Sequence, residues 1–577
     1  MATTDNKEPL KRFWKLVNLE KGEIFTIYFY AVLSGLIYLS LPLGVQAIIN
    51  LLFGGLVSTS MVVLVFVVVF GVFANGWLQI KQMKVNERIQ RRIFTRYSLQ
   101  FAYKIPRLDL MAVDDYYLPE LVNRFFDTAS LQKGFSKMLI EFPSATVQIF
   151  FGLLLLSFYN SAFIFFGIGL IALIVLIFRL TYKRGISTSL EESNYKYEVG
   201  NWLEEVARTI KTFKFMGVTE YPSKRADSMV SNYLDAREEH FEILKIQYWS
   251  FVFFKVIITA ALLIIGSFLV IEQQINIGQF IAAEIVIITL LNSVEKLISS
   301  LDVVYDMLTS LEKVSKLLEK PEERQGTLDI AESIEKHGIK IEAHNLTYRF
   351  SGHKKKVLSD LNFEIQAGEK VCIFGTQGSG KTTLLKVLTG AFPNYEGKLL
   401  FNNYPLGDYD LIALRQQIGV YLASPDLFSG TLRENLTLGN DSITTDNILQ
   451  IAGEVGLLNY IQSLGEGLHS SIDTIGKNLP RNTITKILLA RALLTQPRLL
   501  LIEDCWSSLE IQEQEHIIEY LTLNQPFTLI SVTNDEAFAQ KCDRIILLSE
   551  GKIVSQGSFE QVRQTVEYKR VFKRLSL

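Results

Sequence analysis

The residues whose types and spacing best suit chemistry form a glycine-rich stretch at 375–382, Gly-Thr-Gln-Gly-Ser-Gly-Lys-Thr. In the pattern G-x-x-x-x-G-K-[ST], backbone N–H groups surround phosphates, the lysine adds positive charge and the hydroxyl ligates Mg²⁺. Residues 370–374 are typical of a buried strand, and residues 383–388 of a helix whose N-terminus favours an anion. A chance glycine-rich turn does not account for this strand–loop–helix order. We therefore predict a nucleotide site made by Gly375, Thr376, Gln377, Gly378, Ser379, Gly380, Lys381, Thr382 and Thr383, with Thr382 as a ligand of Mg²⁺.

The composition limits the class of protein that carries this site. Hydrophobic residues make up 49% of the 577 residues, and the mean hydropathy of +0.22 is high for a soluble protein. The formal net charge of -2 gives no case for a nucleic-acid partner. Cys372, Cys505 and Cys542 lack metal-ligand spacing, so we expect free thiols in a reducing compartment.

The first half of the chain contains six apolar runs, each close to the length of a helix that spans a bilayer. They lie at about 24–43, 61–78, 142–159, 161–178, 256–271 and 277–292. Buried helices of a soluble protein are the alternative, which so many long runs in so short a segment disfavour. We predict an all-α six-helix membrane domain in a lipid bilayer.

The segments between these runs predict the orientation of the domain. Residues 51–60 lack Lys and Arg, whereas residues 79–137 and 181–249 are rich in both. Because cytoplasmic segments carry such an excess, we expect both long segments and both termini to be cytoplasmic. Their helical periodicity suggests extensions of the membrane helices that reverse at 114–119 and 200–205 and reach a cytosolic motor. A plain solvated loop is the alternative.

Glu284 is the carboxylate that lies deep in a predicted span. Ionisable residues are costly there and often face a cavity or a partner, so a place in a transport pathway is one interpretation. The others are a helix-end carboxylate facing water, or a pair with a lysine such as Lys255.

The second half of the chain has a different pattern. A charged stretch with proline and glycine at 319–326 indicates a domain boundary, and from residue 339 short strands alternate with helices. We predict a cytosolic N-terminal segment at 1–23, a transmembrane domain at 24–318, a linker at 319–338, and an α/β nucleotide-binding domain with the phosphate-binding loop at 339–577.

From about residue 20 to residue 570 the chain resembles an ABC (ATP-binding cassette) exporter half-transporter of type I. Besides the phosphate loop, the resemblance rests on the sequences at 428–436, 489–494, 497–502 and 543–557. It implies ATP and Mg²⁺ as cofactors, and a second half-transporter as partner in a homo- or heterodimer. The membrane half most resembles bacterial exporters of peptides or proteins, which implies export across the bacterial inner membrane and leaves lipid and small-molecule cargoes open.

The resemblance also shows where this sequence departs from the family. The signature LSGGQ falls on Leu479, Pro480, Arg481, Asn482 and Thr483. Pro480 has neither a hydroxyl nor an N–H group. Arg481 puts a long side chain where a glycine lets the backbone approach phosphate, although an arginine can itself pair with phosphate.

The residues that the resemblance assigns to catalysis are replaced as well. The Walker B pair is reversed, with Glu503 as the candidate for Mg²⁺ and Asp504, one methylene short, at the general-base position. The switch histidine falls on Asn534, which cannot carry a positive charge, and the Q-loop glutamine falls on Ala423. At the adenine-stacking position the resemblance implies Phe350, with Tyr348 as the second candidate.

An intact phosphate loop beside these replacements predicts ATP binding with slow or lost hydrolysis. In the family each ATP lies between one subunit's phosphate loop and the other's signature, so no partner restores a fully standard site. One hypothesis is an exporter subunit in which ATP binding drives domain closure and alternating access, with hydrolysis weak or dependent on a partner. Another is a non-transporting, ATP-sensing membrane scaffold or regulator. A competent ATPase that uses Arg481 and Glu503 is a third.

Overall fold

The computed structural model describes residues 8–53, 59–113, 117–160, 162–328, 338–350, 352–422, 427–523 and 525–575. The chain forms two compact units. One unit comprises Met1–Leu108 with Asp115–Pro321, and the other comprises Asp109–Asp114 with Glu322–Leu577. The short segment at 109–114 therefore groups with the second unit, although membrane-type helices precede and follow it in the sequence.

The first half of the chain is helical. Its α-helices are α1 (Glu8–Leu19), α2 (Lys21–Tyr38), α3 (Ser40–Phe53), α4 (Thr59–Lys104), α5 (Leu110–Val113), α6 (Leu118–Asn123), α7 (Asp127–Tyr159), α8 (Ala162–Arg208), α9 (Ile210–Phe215), α10 (Glu220–Ile271), α11 (Ile277–Ser299) and α12 (Leu301–Leu318). Five of the predicted apolar runs lie on helical segments that, among the described residues, are long and apolar enough to cross a membrane. The sixth run lies on α8, whose first side chains are only partly described. The predicted helical membrane domain is confirmed.

Several of these helices are far longer than a bilayer requires. Helices α4, α8 and α10 have 46, 47 and 52 residues, whereas about 20 residues span the hydrocarbon core. The polar segments that follow the apolar runs of α4 and α8 therefore continue as helix, as the periodicity predicted.

One predicted reversal is wrong. Residues 200–205 lie inside α8, and the chain reverses after Arg208, where Gly217 adopts a left-handed φ of +65° before α10 begins. The physical reason is the packing of Trp202, whose Nε1–H donates to the carbonyl of Pro222 at 3.0 Å. The other predicted reversal falls partly on residues 114–116, which lie outside the described residues.

A buried polar cluster joins α7, α8 and α12 beyond the apolar runs. The hydroxyl of Tyr197 donates to Asp127 at 2.6 Å, and Lys313, only 6% exposed, donates to Asn194. Burial, reinforced by the positive charge of Arg124, lowers the pKa of Lys313 to about 8. The folded protein therefore holds this proton less tightly than the unfolded chain does.

The second unit is α/β, as predicted. Its strands are β1 (Ile341–Tyr348), β2 (Leu358–Ile365), β3 (Lys370–Gly375), β4 (Glu396–Phe401), β5 (Tyr404–Pro405), β6 (Ile418–Tyr421), β7 (Gly430–Thr431), β8 (Ser471–Ile472), β9 (Leu499–Glu503), β10 (Thr528–Val532), β11 (Arg544–Ser549) and β12 (Lys552–Gly557). Its further helices are α13 (Lys381–Leu388), α14 (Leu411–Gln416), α15 (Leu432–Thr437), α16 (Thr445–Glu454), α17 (Leu458–Ser463), α18 (Arg481–Leu494), α19 (Ile511–Thr522), α20 (Glu536–Gln540), α21 (Phe559–Arg563) and α22 (Val566–Leu575).

The main sheet of this unit has the strand order β12-β11-β3-β10-β9-β6. Strand β3 is buried along its whole length and pairs in parallel with β10 and β11, and β10 pairs in parallel with β9. Such strands read as continuous apolar runs because both faces are covered. A second sheet, in the order β2-β1-β4-β5, packs its apolar face on α13 and the segment before α14.

We expect Lys313 to make stability depend on pH. Between pH 8 and about 10.5 the unfolded chain binds more protons at this residue, so its contribution to the free energy of unfolding rises with pH. The free energy of unfolding of wild type relative to Lys313→Met, measured by thermal unfolding in detergent, should therefore rise by on the order of 3 kcal/mol between pH 8 and 10.5. Lys211→Met, which changes an exposed lysine on α9, should follow the wild-type profile. Parallel profiles for wild type and Lys313→Met would contradict this.

Candidate functional site

Three parallel strands end at the same edge of the main sheet. Val532 at the end of β10 lies beside Ile373 of β3 on one side and Glu503 at the end of β9 on the other. In open α/β sheets, ligands bind beyond the carboxyl ends of the strands. The phosphate loop follows β3 at this edge, Asp504 follows β9, and Asn534 comes shortly after β10.

Glycines shape the loop between β3 and α13. Gly378 and Gly380 have left-handed φ angles of +78° and +98°, which side chains with a Cβ rarely adopt. A Cβ on Gly375 would lie 2.2 Å from the carbonyl oxygen of Leu548. The loop thus depends on glycine for its backbone path as well as for its close packing against β11.

The loop fits the phosphates that its sequence predicts. Helix α13 begins at Lys381 without a side-chain cap, so its first N–H groups are open to an anion. Ser379 is 2% exposed and, among the described residues, its hydroxyl has no hydrogen-bond partner. The ammonium of Lys381 donates to the carbonyls of Gly375 and Thr376 at 2.7 and 2.9 Å, so it lies over the loop. Burial lowers the pKa of Lys381, opposed by the charges of Asp504 and Glu503.

The two candidates for Mg²⁺ lie next to each other. The hydroxyl of Thr382, in the first turn of α13, donates to a carboxylate oxygen of Glu503. Protein sites for Mg²⁺ use only one or two oxygen ligands and leave the remaining positions to phosphates and water. The donor set of Thr382 and Glu503 fits that chemistry, and the first carboxylate of the reversed pair is the one that reaches Thr382.

Asp504 and Asn534 lie at the same edge with different partners. Asp504 is exposed and accepts from the hydroxyl of Thr533 at 3.4 Å. Partial desolvation raises the pKa of Asp504, and hydrogen bonds from the Trp506 backbone and Thr533 oppose that rise. The side-chain oxygen of Asn534 accepts from the N–H of Gly375 at 3.1 Å. Asn534 therefore ties the end of β10 to the start of the loop.

The signature positions lie at the start of α18. Pro480 has an extended backbone, with φ of −59° and ψ of 146°, and both it and Arg481 are exposed. The N–H of Thr483 donates to the side chain of Asn482 at 2.7 Å, and Leu479 is half-buried against the neighbouring core. Among the described residues, no hydrogen bond joins 479–483 to the phosphate loop at 375–383.

The aromatic candidates for base stacking differ in exposure. Tyr348 is 1% exposed and stacks on Phe392 with ring centroids 5.4 Å apart, so it offers no face to a base. Phe350 is half-buried and meets both of these rings edge to face. Phe350 thus remains the candidate for adenine stacking. Ala423, at the predicted Q-loop position, lies outside the described residues.

Glu284 lies half-buried on α11. The lysine suggested as its partner, Lys255, pairs instead with Glu295 at 3.1 Å. The structure therefore does not support the interpretation in which Glu284 forms an ion pair with Lys255.

Sequence reasoning missed Thr533 and Met111. Thr533 accepts from the N–H of Asp535 at 3.1 Å and donates to Asp504, a local turn that the sequence Thr-Asn-Asp after a buried strand could have indicated. Met111 of α5 packs against the apolar core beneath the sheet β2-β1-β4-β5, and its sulfur accepts a hydrogen bond from the hydroxyl of Tyr348 at 3.2 Å. No local signal identifies Met111, because its partner is far away in the sequence.

Two family models match the chain. The ABC transporter transmembrane region matches residues 24–294, and the ABC transporter model matches residues 358–507. The pediocin PA-1 transport/processing ATP-binding protein PedD of Pediococcus acidilactici is 24% identical over 84% of this chain and 67% of its own length. The ATP-dependent lipid A-core flippase of Desulfotalea psychrophila is 24% identical over 96% and 97%.

Other relatives are longer than this chain. The toxin RTX-I translocation ATP-binding protein of Actinobacillus pleuropneumoniae is 28% identical over 63% of this chain, which spans about half (51%) of that relative. A solved structure of a bacterial Atm1-family ABC exporter with ATP bound shares the fold, with a TM-score of 0.83 over 97% of this chain and 99% of that one. Its sequence identity is 17%, so this likeness speaks for the fold alone.

We expect the loop glycines to differ in their effect on stability. Alanine at Gly378 or Gly380 costs about 1–2 kcal/mol because of the left-handed backbone. At Gly380 the new Cβ would also lie 2.8 Å from a Leu358 methyl and 2.9 Å from the Val357 carbonyl, whereas at Gly378 nothing lies within 4 Å. In nucleotide-free thermal unfolding, Gly380→Ala should therefore be less stable than Gly378→Ala by roughly 1–3 kcal/mol. Equal losses would show that the clash is relieved.

Proposed function

Because the chain belongs to the ABC transporters and carries their transmembrane region and ATP-binding domain on one polypeptide, we propose that it is an exporter subunit driven chiefly by ATP binding. It is an integral membrane protein of the ABC exporter fold. In the proposed cycle, ATP binding closes the nucleotide-binding domains and switches the access of the membrane domain. Hydrolysis is weak or depends on a partner.

The contact between Thr382 and Glu503 carries this proposal. It supports the first carboxylate of the reversed pair as the ligand of Mg²⁺, which leaves Asp504 at the general-base position. Asp504 is one methylene shorter than glutamate, and misplacement by about 1 Å can cost roughly a hundredfold in rate. Bound Mg²⁺ would offset charge on the phosphates. Thr382 and Glu503 would hold the Mg²⁺, while the loop N–H groups and Lys381 bind the phosphates.

Asn534 supports slow turnover for a separate reason. Its side-chain oxygen is engaged by the N–H of Gly375, and its amide can supply neither a proton nor a positive charge. We propose that Asn534 stabilises the phosphate loop and has no direct part in the chemical step. Phe350 is proposed to stack on adenine, and Ser379 and Thr383 complete the phosphate-binding residues.

The segment at 109–114 supports transport over a passive role. It lies in sequence between α4 and α6 but belongs to the nucleotide-binding unit, where Met111 contacts Tyr348. Tyr348 in turn stacks on Phe392, next to the candidate adenine site at Phe350. We propose that nucleotide binding acts on the membrane helices through this segment.

The partner and the setting follow from the same reasoning. We propose a dimer with a second half-transporter, identical or different, in the bacterial inner membrane with both termini cytoplasmic. The names of the relatives include a pediocin transporter, a toxin translocator and a lipid A-core flippase. For this chain we propose a peptide or protein cargo, with Glu284 as a candidate residue of the transport pathway. We also propose a membrane domain at 24–318, a linker at 319–338 and a nucleotide-binding domain at 339–577.

Nucleotide binding and turnover of the purified full chain in liposomes test this proposal. We expect wild type to bind ATP with little phosphate release, and the double variant Asp504→Glu/Asn534→His to turn over at least about tenfold faster, because the base regains its length. Lys381→Ala should lose binding. Lys386→Ala, which changes another lysine of α13, should retain it.

Two outcomes would count against the proposal. Rapid turnover by wild type that disappears in Lys381→Ala would mean that the reversed pair forms a working site. An unchanged cellular function in the repaired variant, together with loss of that function in Lys381→Ala, would favour a non-transporting, ATP-sensing scaffold.

A further inference from the structure

Two adjoining cavities lie among the helices of the membrane unit. One of about 460 Å³ is lined by α1, α2, α7, α8 and α12, and one of about 760 Å³ is lined by α7, α8, α11 and α12. They share the lining residues Phe142, Phe178, Tyr182 and Leu301, so the two cavities lie side by side and are considered together as one space. We call this space the α7–α8 cleft.

The cleft is apolar except at one end. Side chains such as Phe13, Met138 and Val304 line the smaller cavity, and the described lining of neither cavity contains an aspartate or a glutamate. Arg179 and Lys183 line the larger cavity. The cleft therefore combines an apolar interior with a cationic end.

These two cations differ from the cations of the membrane unit that form ion pairs. Arg96 donates to the buried Glu20 at 2.6 Å and Lys255 pairs with Glu295, whereas Arg179 and Lys183 form no ion pair among the described residues. Both are exposed and lie four residues apart on α8, where like charges repel by a few tenths of a kcal/mol. An anion between them would relieve that repulsion.

Tyr182 marks the point where the two environments meet. It lines both cavities, next to Lys183 and three residues after Arg179. Its hydroxyl is buried and has no hydrogen-bond partner among the described residues. A buried hydroxyl without a partner costs free energy, and a polar atom of an occupant would remove that cost.

We propose that the α7–α8 cleft binds one anionic phospholipid of the cytoplasmic leaflet, with its phosphate at Arg179 and Lys183 and an acyl chain in the larger cavity, beside Thr146 and Ile174 of the membrane runs. Arg179 directly follows the apolar run at 161–178, at the end that the charge pattern assigns to the cytoplasm. Basic pockets between membrane helices on that side bind anionic headgroups. A water-soluble anion would leave the apolar volume unused, and a neutral lipid would leave both cations without a counter-charge.

Native mass spectrometry of the full chain in detergent, titrated with phosphatidylglycerol or phosphatidylcholine, tests this site. Wild type should retain phosphatidylglycerol in preference to phosphatidylcholine. Arg179→Gln/Lys183→Gln should bind phosphatidylglycerol roughly thirtyfold more weakly, about fivefold for each cation removed, with little change for phosphatidylcholine. The exchanged variant Arg179→Lys/Lys183→Arg should keep the preference.

Two further variants separate this site from general effects. Lys211→Gln/Lys214→Gln removes the same charge from exposed positions on α9 and should behave like wild type. Thr146→Trp/Ile174→Trp should narrow the larger cavity and weaken both lipids while the cations remain. Equal losses in the two charge-removing variants, or full binding by Thr146→Trp/Ile174→Trp, would overturn the proposal. ATP turnover is not a readout, so this test stands apart from the proposed export function.

Discussion

The parallel pairing of β10 with β3 and β9 is the constraint on which the nucleotide site depends. It fixes the ends of three strands side by side, so that the loop after β3, the carboxylates at the end of β9 and the residues after β10 meet within hydrogen-bonding distance. The bond from the Gly375 N–H to Asn534 and the bond from Thr382 to Glu503 are direct consequences. These contacts connect the loop to the ends of the two neighbouring strands, so the site is assembled by the sheet itself.

Sequence reasoning succeeded where the determinants are local. The phosphate loop needs only glycines that tolerate left-handed backbone and a lysine at the start of a helix, and both are visible in residues 375–382. The apolar runs likewise predicted membrane helices, and the polar periodicity after them predicted that α4 and α8 continue far beyond a bilayer. These features follow from the properties of consecutive residues.

It failed where partners are distant in the sequence. The reversal predicted at 200–205 is absent because Trp202 packs on Pro222 across the helical hairpin, and no local pattern shows that contact. Tyr348 and Phe350 are equivalent as aromatic residues at the end of β1, and only Phe392, on another segment, decides that Tyr348 is buried. The partner of Lys255 was also a matter of tertiary packing, since Glu295 lies on a different helix.

Four of the positions predicted to depart from the family pattern have little or no role in packing. Pro480, Arg481 and Asp504 are exposed and Asn534 is half-buried, so none of them supports the hydrophobic core. Helix α18 still packs a long buried face behind its altered first residues, and β9 is buried up to Ile502, directly before the reversed pair. Packing therefore does not dictate the residue type at these four positions, whereas Thr483, at the end of the signature stretch, is buried. The proposed cycle, in which ATP binding drives domain closure and hydrolysis is weak, depends on the phosphate loop and on the fold, and it does not require the usual hydrolytic groups at these four positions.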